Sequence, residues 1–262
     1  MNSGKPLVFI TGASSGIGQA LAQRFHAEGW RLALVARRGQ EMLDWVKAQG
    51  WDGSRVSVHS ADVREIASIT AAGHDCIARQ GLPEVVIANA GISIGVDTAD
   101  INDLDIMRAT LETNILGMAA TFQPFVTPMR ERRGGTFVGM TSMAGIRGIP
   151  GHGAYSSSKA AAISYCESLR GECRPFGVRV VTLVPGYIDT PLTRRNPYSM
   201  PFLMTPEAFA ECAYRTISRQ ESYRVIPWQM AIAATILRVL PNAMFDRLFA
   251  NRPKKPRRKE GA

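Results

Sequence analysis

Cysteine and histidine are scarce in this sequence, which has four of each among 262 residues. The cysteines include no C-x-x-C pair, and the histidines form no H-E-x-x-H or other ligand spacing. These absences argue against a disulfide framework and against a metal site. Together with the lack of a charged-then-apolar leader after Met1, they predict a protein of the reducing cytoplasm.

Long apolar runs are also missing. The most apolar stretch, residues 228–240, carries a single charge at Arg238 and is shorter than the roughly 20 residues that span a bilayer. Three interpretations of residues 228–250 stay open: a helix buried under a ligand pocket or at a subunit contact, a helix lying on a membrane, or a segment with its own local packing. In the second case the peripheral membrane contact would extend over 228–259, aided by Arg247 and the basic residues that follow.

Acidic residues are fewer than basic ones, with 22 aspartates and glutamates against 31 lysines and arginines, and the net charge is +9. The segment 252–262, "RPKKPRRKEGA", accounts for +5 of this charge, so the other 251 residues carry only +4. The composition predicts a solvated, disordered tail, with contact to anionic lipid or another polyanion as the alternative. The body has no basic stripe with interleaved aromatic residues, so nucleic-acid binding is not expected.

Six short apolar runs alternate with segments of helical spacing. They are rich in valine, isoleucine and leucine with little polar alternation, which is typical of parallel strands buried on both faces. The runs cover 6–12, 31–37, 55–63, 83–91, 135–142 and 178–186. No linker or composition break occurs before residue 252. The pattern predicts one doubly wound α/β domain over 1–251, with a central parallel sheet flanked by helices on both faces.

Unusual residues gather where the predicted strands end. In open α/β sheets, ligands bind outside the carboxyl ends of the strands. A ligand site is therefore expected along this edge, near the following residues: Gly12, Asp62, Asn89, Gly91, Ser142, Pro185 and Gly186.

The first predicted strand runs directly into "TGASSGIG" (11–18). Its glycines, Gly12, Gly16 and Gly18, have the spacing G-x-x-x-G-x-G instead of G-x-G-x-x-G. A glycine turn lets backbone N–H groups approach a pyrophosphate, and the next helix contributes its N-terminal dipole. Because the turn follows a strand, opens a helix and lies near the N-terminus, it favours nucleotide binding over a merely tight connection.

A tyrosine and a lysine are four residues apart in "YSSSK" (155–159). On a helix, Tyr155 and Lys159 would lie on the same face. A nearby ammonium favours the phenolate and lowers a tyrosine pKa that is ordinarily about 10. Such a phenol would suit proton transfer near neutral pH. Taken alone, the pair also fits an ordinary exposed helix.

Taken together, "TGASSGIG", "NAG" (89–91), Asn114, Ser142 and "YSSSK" resemble the short-chain dehydrogenase/reductase family over about residues 5–192. Ser142 precedes Tyr155 by 13 residues, a spacing that this family shows. The resemblance implies a Rossmann-type domain that transfers a hydride between a nicotinamide cofactor and a carbonyl or secondary alcohol. The alternative is a catalytically weak dinucleotide-binding sensor or scaffold on the same fold, although such proteins commonly lack one of the catalytic groups present here.

The resemblance also implies roles for four residues. Tyr155 would be the general acid in carbonyl reduction and the base in alcohol oxidation. Lys159 would lower the pKa of Tyr155 and bind the nicotinamide ribose, and Ser142 would donate to the substrate oxygen. Asn114 would hold a water that connects Lys159 to solvent.

The end of the second predicted strand bears on the choice of cofactor. Ala36 occupies the position where NAD sites place an acid, and Arg37 follows it. An arginine there accommodates the 2′-phosphate of NADP, so NADP(H) is predicted over NAD(H). Many NADP-preferring relatives add a basic residue inside the glycine turn, where this chain has Ser14 and Ser15.

The remaining expectations also follow from the resemblance. Asp62 and Val63 would contact adenine, and "VPGYIDTPL" (184–192) would close over the nicotinamide. The full set of implied cofactor contacts is Gly12, Ser14, Ser15, Gly16, Ile17, Gly18, Arg37, Asp62, Val63, Asn89, Ala90, Gly91, Tyr155, Lys159, Pro185, Gly186, Ile188 and Thr190. The rim of the substrate site would include Tyr198, Phe202 and Met204. The substrate would be a small carbonyl or alcohol, with a lipid-like molecule as one option. A homodimer or homotetramer would form through the long helices 104–132 and 154–177.

Overall fold

The computed structural model describes residues 4–250 and 252–257, and within them seven parallel strands form one sheet. Their order is β3-β2-β1-β4-β5-β6-β7, and every neighbouring pair is parallel. The strands are β1 Leu7–Thr11, β2 Arg31–Ala36, β3 Val56–Ser60, β4 Val85–Ala88, β5 Thr136–Met140, β6 Arg179–Pro185 and β7 Tyr223–Ile226. The doubly wound parallel sheet is confirmed.

Each of the first six strands lies inside its predicted run, but β7 was not predicted. It has four residues, of which only Val225 and Ile226 are buried. A short strand at the sheet edge needs no long apolar run, because one of its sides has no neighbouring strand. Its pairing with β6, in which Val184 lies opposite Val225, depends on the tertiary structure.

Helices cover both faces of the sheet. They are α1 Gly16–Ala27, α2 Gly39–Ala48, α3 Ile66–Gln80, α4 Asp103–Leu111, α5 Gly117–Arg132, α6 Gly153–Cys173, α7 Pro206–Ser218, α8 Trp228–Val239 and α9 Asn242–Phe249. In β1, Val8 and Ile10 pack in the cluster that includes α1, α2 and α7. Leu7 and Phe9 point to the cluster that includes α3, α5 and α6. Side chains of one strand thus fill the core on both faces of the sheet, and ligands in such sheets bind outside the carboxyl ends of the strands.

The long segment 104–132 is not one regular helix. One turn of π-helix, Glu112–Leu116, joins α4 to α5 and contains Asn114. Such turns occur frequently at functional sites, since an additional residue in the turn displaces side chains from their regular positions. The sequence places Asn114 in a helix and carries no sign of the wider turn.

The apolar segment 228–250 forms two helices, because Pro241 precedes α9. In α8, Met230 and Ala234 are buried, whereas Trp228, Ile232 and Val239 are exposed. The segment therefore has both a packed face and an outward apolar face. Among the described residues, no helix combines the length and apolarity needed to cross a membrane.

Residues 252–257, named here the C-terminal strap, pack against the domain, although their composition predicts a disordered tail. The guanidinium of Arg257 is 2.8 Å from the carboxylate of Asp103 and also pairs with Asp100. The amide of Gly95 donates to the carbonyl of Pro256 at 3.1 Å. The strap docks because acidic and backbone partners lie within its reach. The rest of the predicted tail, 258–262, lies outside the described residues.

Candidate active site

Ser142, Tyr155 and Lys159 meet at the carboxyl end of β5. Ser142 lies just beyond the strand, and its hydroxyl oxygen accepts a hydrogen bond from the amide of Ala144 at 3.2 Å. Tyr155 and Lys159 lie in the first two turns of α6. The Lys159 ammonium is buried, donates to the carbonyl of Met140 at 2.8 Å, and is 5.8 Å from the centre of the Tyr155 ring. The structure therefore brings the three predicted residues together.

Burial controls the proton affinities of this group. It raises the pKa of the Tyr155 phenol, and a hydrogen bond from Ser142 only partly offsets that effect. It also lowers the pKa of the Lys159 ammonium to about 8. The sequence predicted a lowered phenol pKa, but in the protein alone desolvation has the larger effect. The Tyr155 phenol therefore holds its proton more tightly than a free tyrosine does.

Asn114 connects three parts of the site. Its side-chain oxygen accepts from the amide of Ile92 at 2.8 Å, and its side-chain nitrogen donates to the carbonyl of Ile92 and to the Ser158 hydroxyl, each at 2.9 Å. A Cβ atom on Gly91 would lie 3.1 Å from the Asn114 oxygen and 3.6 Å from the Lys159 nitrogen. The π turn thus places Asn114 beside Lys159, and the water relay through Asn114 stays a prediction.

The glycine turn and the end of β4 interlock. A Cβ atom on Gly18 would lie 2.2 Å from the carbonyl oxygen of Gly12, and one on Gly12 would lie 2.7 Å from the Cα atom of Ala90. The side-chain nitrogen of Asn89, Nδ2, donates to the carbonyl of Thr11 at 3.1 Å, which holds the two loops together. The cradle next to the start of α1 therefore has no room for side chains at these glycines. It fits the diphosphate of a dinucleotide.

The segment after β6 returns to the same turn. The strand ends at Pro185, and the buried Ile188 forms a short parallel bridge with Met204. Thr190 lies so near Gly16 that a Cβ atom on that glycine would be 2.9 Å from the Thr190 methyl carbon. The segment therefore connects the glycine turn with the cavity lined by Ser142 and Tyr155, where a nicotinamide was predicted.

A cavity of about 160 Å³ lies at the predicted adenosine end. Its described lining includes Gly12, Ser14, Ala36, Arg37, Asp62, Val63, Arg64, Ala90 and Gly91. Ser15 and Ile17 of the glycine turn are not among these lining residues: Ser15 is the N-cap residue of α1, and Ile17 packs against the apolar core. Their contact with a cofactor stays a prediction.

Arg64 is a cationic side chain of this cavity that the sequence analysis missed. Its guanidinium is 2.9 Å from the Asp62 carboxylate, and that of Arg37 is 3.9 Å away. Burial raises the pKa of Asp62, but the hydrogen bonds and charge of Arg64, followed by the charge of Arg37, outweigh it and hold the pKa low. Arg38 instead pairs with Glu41 at 3.2 Å.

Ser142 and Tyr155 open onto a second cavity of about 390 Å³. Its walls are mainly apolar and include side chains from α8 and α9. Of the three predicted rim residues, Tyr198 and Phe202 line this cavity, while Met204 packs against the apolar core. The sequence analysis missed His152, which also lines it and whose Nε2 atom is 3.0 Å from the Tyr198 hydroxyl.

Comparisons with known proteins agree with this architecture. The family model for short chain dehydrogenases matches residues 6–199. An uncharacterized oxidoreductase from Myxococcus xanthus is 36% identical over 240 residues, which cover 90% of this chain and 93% of the relative. Dehydrogenase/reductase SDR family member 7B from Bos taurus is 29% identical over an alignment of 269 positions, which covers 96% of this chain and 82% of the relative.

Solved structures share the fold. An alcohol dehydrogenase from the archaeon Thermococcus sibiricus, complexed with 5-hydroxy-NADP, has a TM-score of 0.73 at 27% identity and covers 85% of this chain and 96% of that one. A short chain dehydrogenase from Burkholderia cenocepacia J2315, in complex with NADP, has a TM-score of 0.80 at 22% identity and covers 93% and 97% of the two chains. The family match and the shared fold together show that this chain belongs to the short-chain dehydrogenase family of oxidoreductases.

Proposed function

We propose that the protein is an NADP(H)-dependent oxidoreductase that interconverts a carbonyl and a secondary alcohol. The observation that carries this proposal is the placement of Ser142 and Tyr155. Both line the apolar cavity, while the ammonium of Lys159 is buried beside the Tyr155 ring. A carbonyl in that cavity would meet a hydroxyl and a phenol.

The residues around the two cavities fit a dinucleotide. The glycine turn would hold the diphosphate, Asp62 and Val63 would hold the adenine, and Ile188 and Thr190 would hold the carboxamide. When it is bound, the nicotinamide cofactor supplies or accepts the hydride.

The chain's own groups then position the substrate and move the proton. The Ser142 hydroxyl donates to the substrate oxygen and holds it next to Tyr155. Tyr155 transfers its phenolic proton to that oxygen in reduction and takes it back in oxidation. Lys159 stabilises the phenolate left after transfer, and Asn114 connects Lys159 to solvent through a water.

The preference for NADP(H) rests on charge. Ala36 ends β2 without a carboxylate, and the guanidinium groups of Arg37 and Arg64 both line the adenosine cavity. Two cations facing one carboxylate, Asp62, leave positive charge for a 2′-phosphate. The Thermococcus sibiricus alcohol dehydrogenase, complexed with 5-hydroxy-NADP, supports this choice.

The experiment that tests the function is the rate of NADPH oxidation with aldehydes and ketones graded from short and polar to long-chain. We expect turnover that rises with chain length, because the cavity is mainly apolar. If no carbonyl is reduced, matched alcohols with NADP⁺ test the reverse reaction. Tight NADPH binding without turnover in either direction would favour the sensor or scaffold.

We propose that the outward apolar face of α8 rests on an anionic lipid surface. Trp228, Ile232 and Val239 are exposed there, next to the exposed cation Arg238. The four cysteines are all free, which supports a reducing cytoplasmic location. The protein should cosediment with vesicles containing phosphatidylglycerol, and Trp228→Glu should weaken that binding by about tenfold or more. The exposed Leu43→Glu is the matched control, and an equal loss in both variants would contradict the proposed contact.

We also propose that the protein is a homodimer or homotetramer assembled through its long helices. Ile101, Leu104, Met107 and Leu116 are exposed apolar side chains along α4 and the turns that flank it. Light scattering should give two or four times the chain mass, and Leu104→Lys should reduce it, since an ammonium at a subunit contact is costly. A wild-type protein that stays monomeric at micromolar concentration would contradict this assembly.

A further inference from the structure

The apolar cavity lined by Ser142 and Tyr155, called the substrate cavity below, has an unusual balance of charge. Arg147, Arg252 and Lys255 line it, and no aspartate or glutamate is among its described lining residues. Across the described part of the chain, the hydrogen-bond partners of these three cations are neutral groups. An apolar cavity with cations and without carboxylates attracts an anion.

The two arginines have structural partners. Arg147 donates to the carbonyl of Leu237 at 2.8 Å and to that of Leu240, so its charge lies at the C-terminal end of α8. Arg252 donates to the Tyr187 hydroxyl at 3.0 Å and to the carbonyl of Ser199 at 3.2 Å. Both arginines contribute to the positive field of the cavity, and each also donates hydrogen bonds to neutral oxygen atoms of the chain.

Lys255 differs because it is a buried ammonium with little compensation. It is 8% exposed and donates to the Ser93 hydroxyl at 2.9 Å and to the carbonyl of Leu192 at 3.2 Å. Burial lowers its pKa to about 8. A buried charge with neutral partners costs free energy that an anion would recover. An ammonium has three N–H donors, so one remains for a ligand.

The strap holds Lys255 at this position from both sides. On one side, Arg257 pairs with Asp103 and Pro256 accepts from the amide of Gly95. The approach is so close that a Cβ atom on Gly95 would lie 2.1 Å from the Lys255 carbonyl oxygen. On the other side, Arg252 bonds to Tyr187. Contacts on both sides of Lys255 therefore hold it in the wall of the cavity.

We propose that Lys255 binds the anionic headgroup of an amphipathic carbonyl substrate whose apolar chain fills the cavity beside Tyr155. This inference rests on the proposed function and names its substrate class. The headgroup is a carboxylate or a phosphate, since both offer the same charged oxygen acceptors to an ammonium. The cofactor phosphates would be held elsewhere, by the glycine turn and by Arg37 and Arg64.

Binding of unreactive probes tests the site without requiring turnover. Calorimetry in the presence of NADP⁺ would compare octanoate, heptyl phosphate and octanamide, which share one heptyl chain. We expect at least about tenfold tighter binding of an anion than of octanamide, and the order of the two anions identifies the headgroup. Lys255→Met should remove most of this preference and leave octanamide affinity unchanged. Lys254→Met, at the exposed neighbouring position, is the matched control.

Three outcomes would overturn the inference: equal affinity of the wild-type protein for all three probes, the same loss in both methionine variants, or weaker NADPH binding in Lys255→Met with the anion preference intact. If Lys255→Met does not fold, the wild-type comparison and the Lys255→Arg variant still test the inference. Lys255→Arg keeps the cation and should keep the preference for an anion. Reduction of neutral carbonyls without any anion preference would overturn this inference alone. Failure of every carbonyl and alcohol to react would count against the proposed function.

Discussion

Replacing Tyr155 with phenylalanine should lower kcat for carbonyl reduction by about 10²–10⁴-fold, the range that one positioned general acid contributes. The phenyl ring would keep its packing at the start of α6, but it carries no proton to transfer. Cofactor affinity should fall by about tenfold or less, because the phenol is only one of many predicted cofactor contacts and the glycine turn and Lys159 are unchanged. Steady-state rates of NADPH oxidation and a fluorescence titration with NADPH separate the two effects.

Tyr165 offers a matched control on the same helix. Its ring stacks on Phe122, 6.5 Å away between ring centres, in the apolar cluster beneath α5. It is absent from the lining of the substrate cavity. Tyr165→Phe should therefore turn over at the wild-type rate. An undiminished rate in Tyr155→Phe would assign proton transfer to another group of the cavity, with His152 the first to test.

Replacing Arg37 with alanine should raise KM for NADPH by about tenfold or more and leave KM for NADH nearly unchanged. Hydrogen bonds to charged groups contribute about 1.5–3 kcal/mol, which corresponds to roughly 10- to 150-fold. The side chain of Arg37 is 65% exposed, so solvent screening places the effect at the lower end of that range. The measurement is kcat/KM for both cofactors at two salt concentrations, and the loss should shrink at high salt.

Arg38 is the adjacent control for this prediction. It pairs with Glu41 at the start of α2 and is absent from the lining of the adenosine cavity. Arg38→Ala should leave the ratio of NADPH to NADH efficiency unchanged. An equal loss of kcat/KM in both arginine variants, or with both cofactors, would mean that Arg37 supports the loop and does not bind the 2′-phosphate.

Local patterns in the sequence determined most of the sheet and the centre of the site. Strands buried on both faces need continuous apolar runs, so six of the strands could be located before the structure was known. Helical spacing alone places Tyr155 and Lys159 on one face. The glycines at 12, 16 and 18 mark the cradle because a Cβ atom has no room there.

The tertiary structure decided what depends on residues far apart in the chain. The pairing of β7 with β6, the π turn at Asn114 and the raised pKa of Tyr155 all follow from packing that no local pattern encodes. The strap is the clearest case. Its composition predicts a solvated tail, yet Arg257 finds Asp103 more than 150 residues away and Gly95 leaves room for the backbone of Lys255. The basic composition of the strap determined that it could pair with carboxylates, and the fold brought Asp100 and Asp103 within its reach.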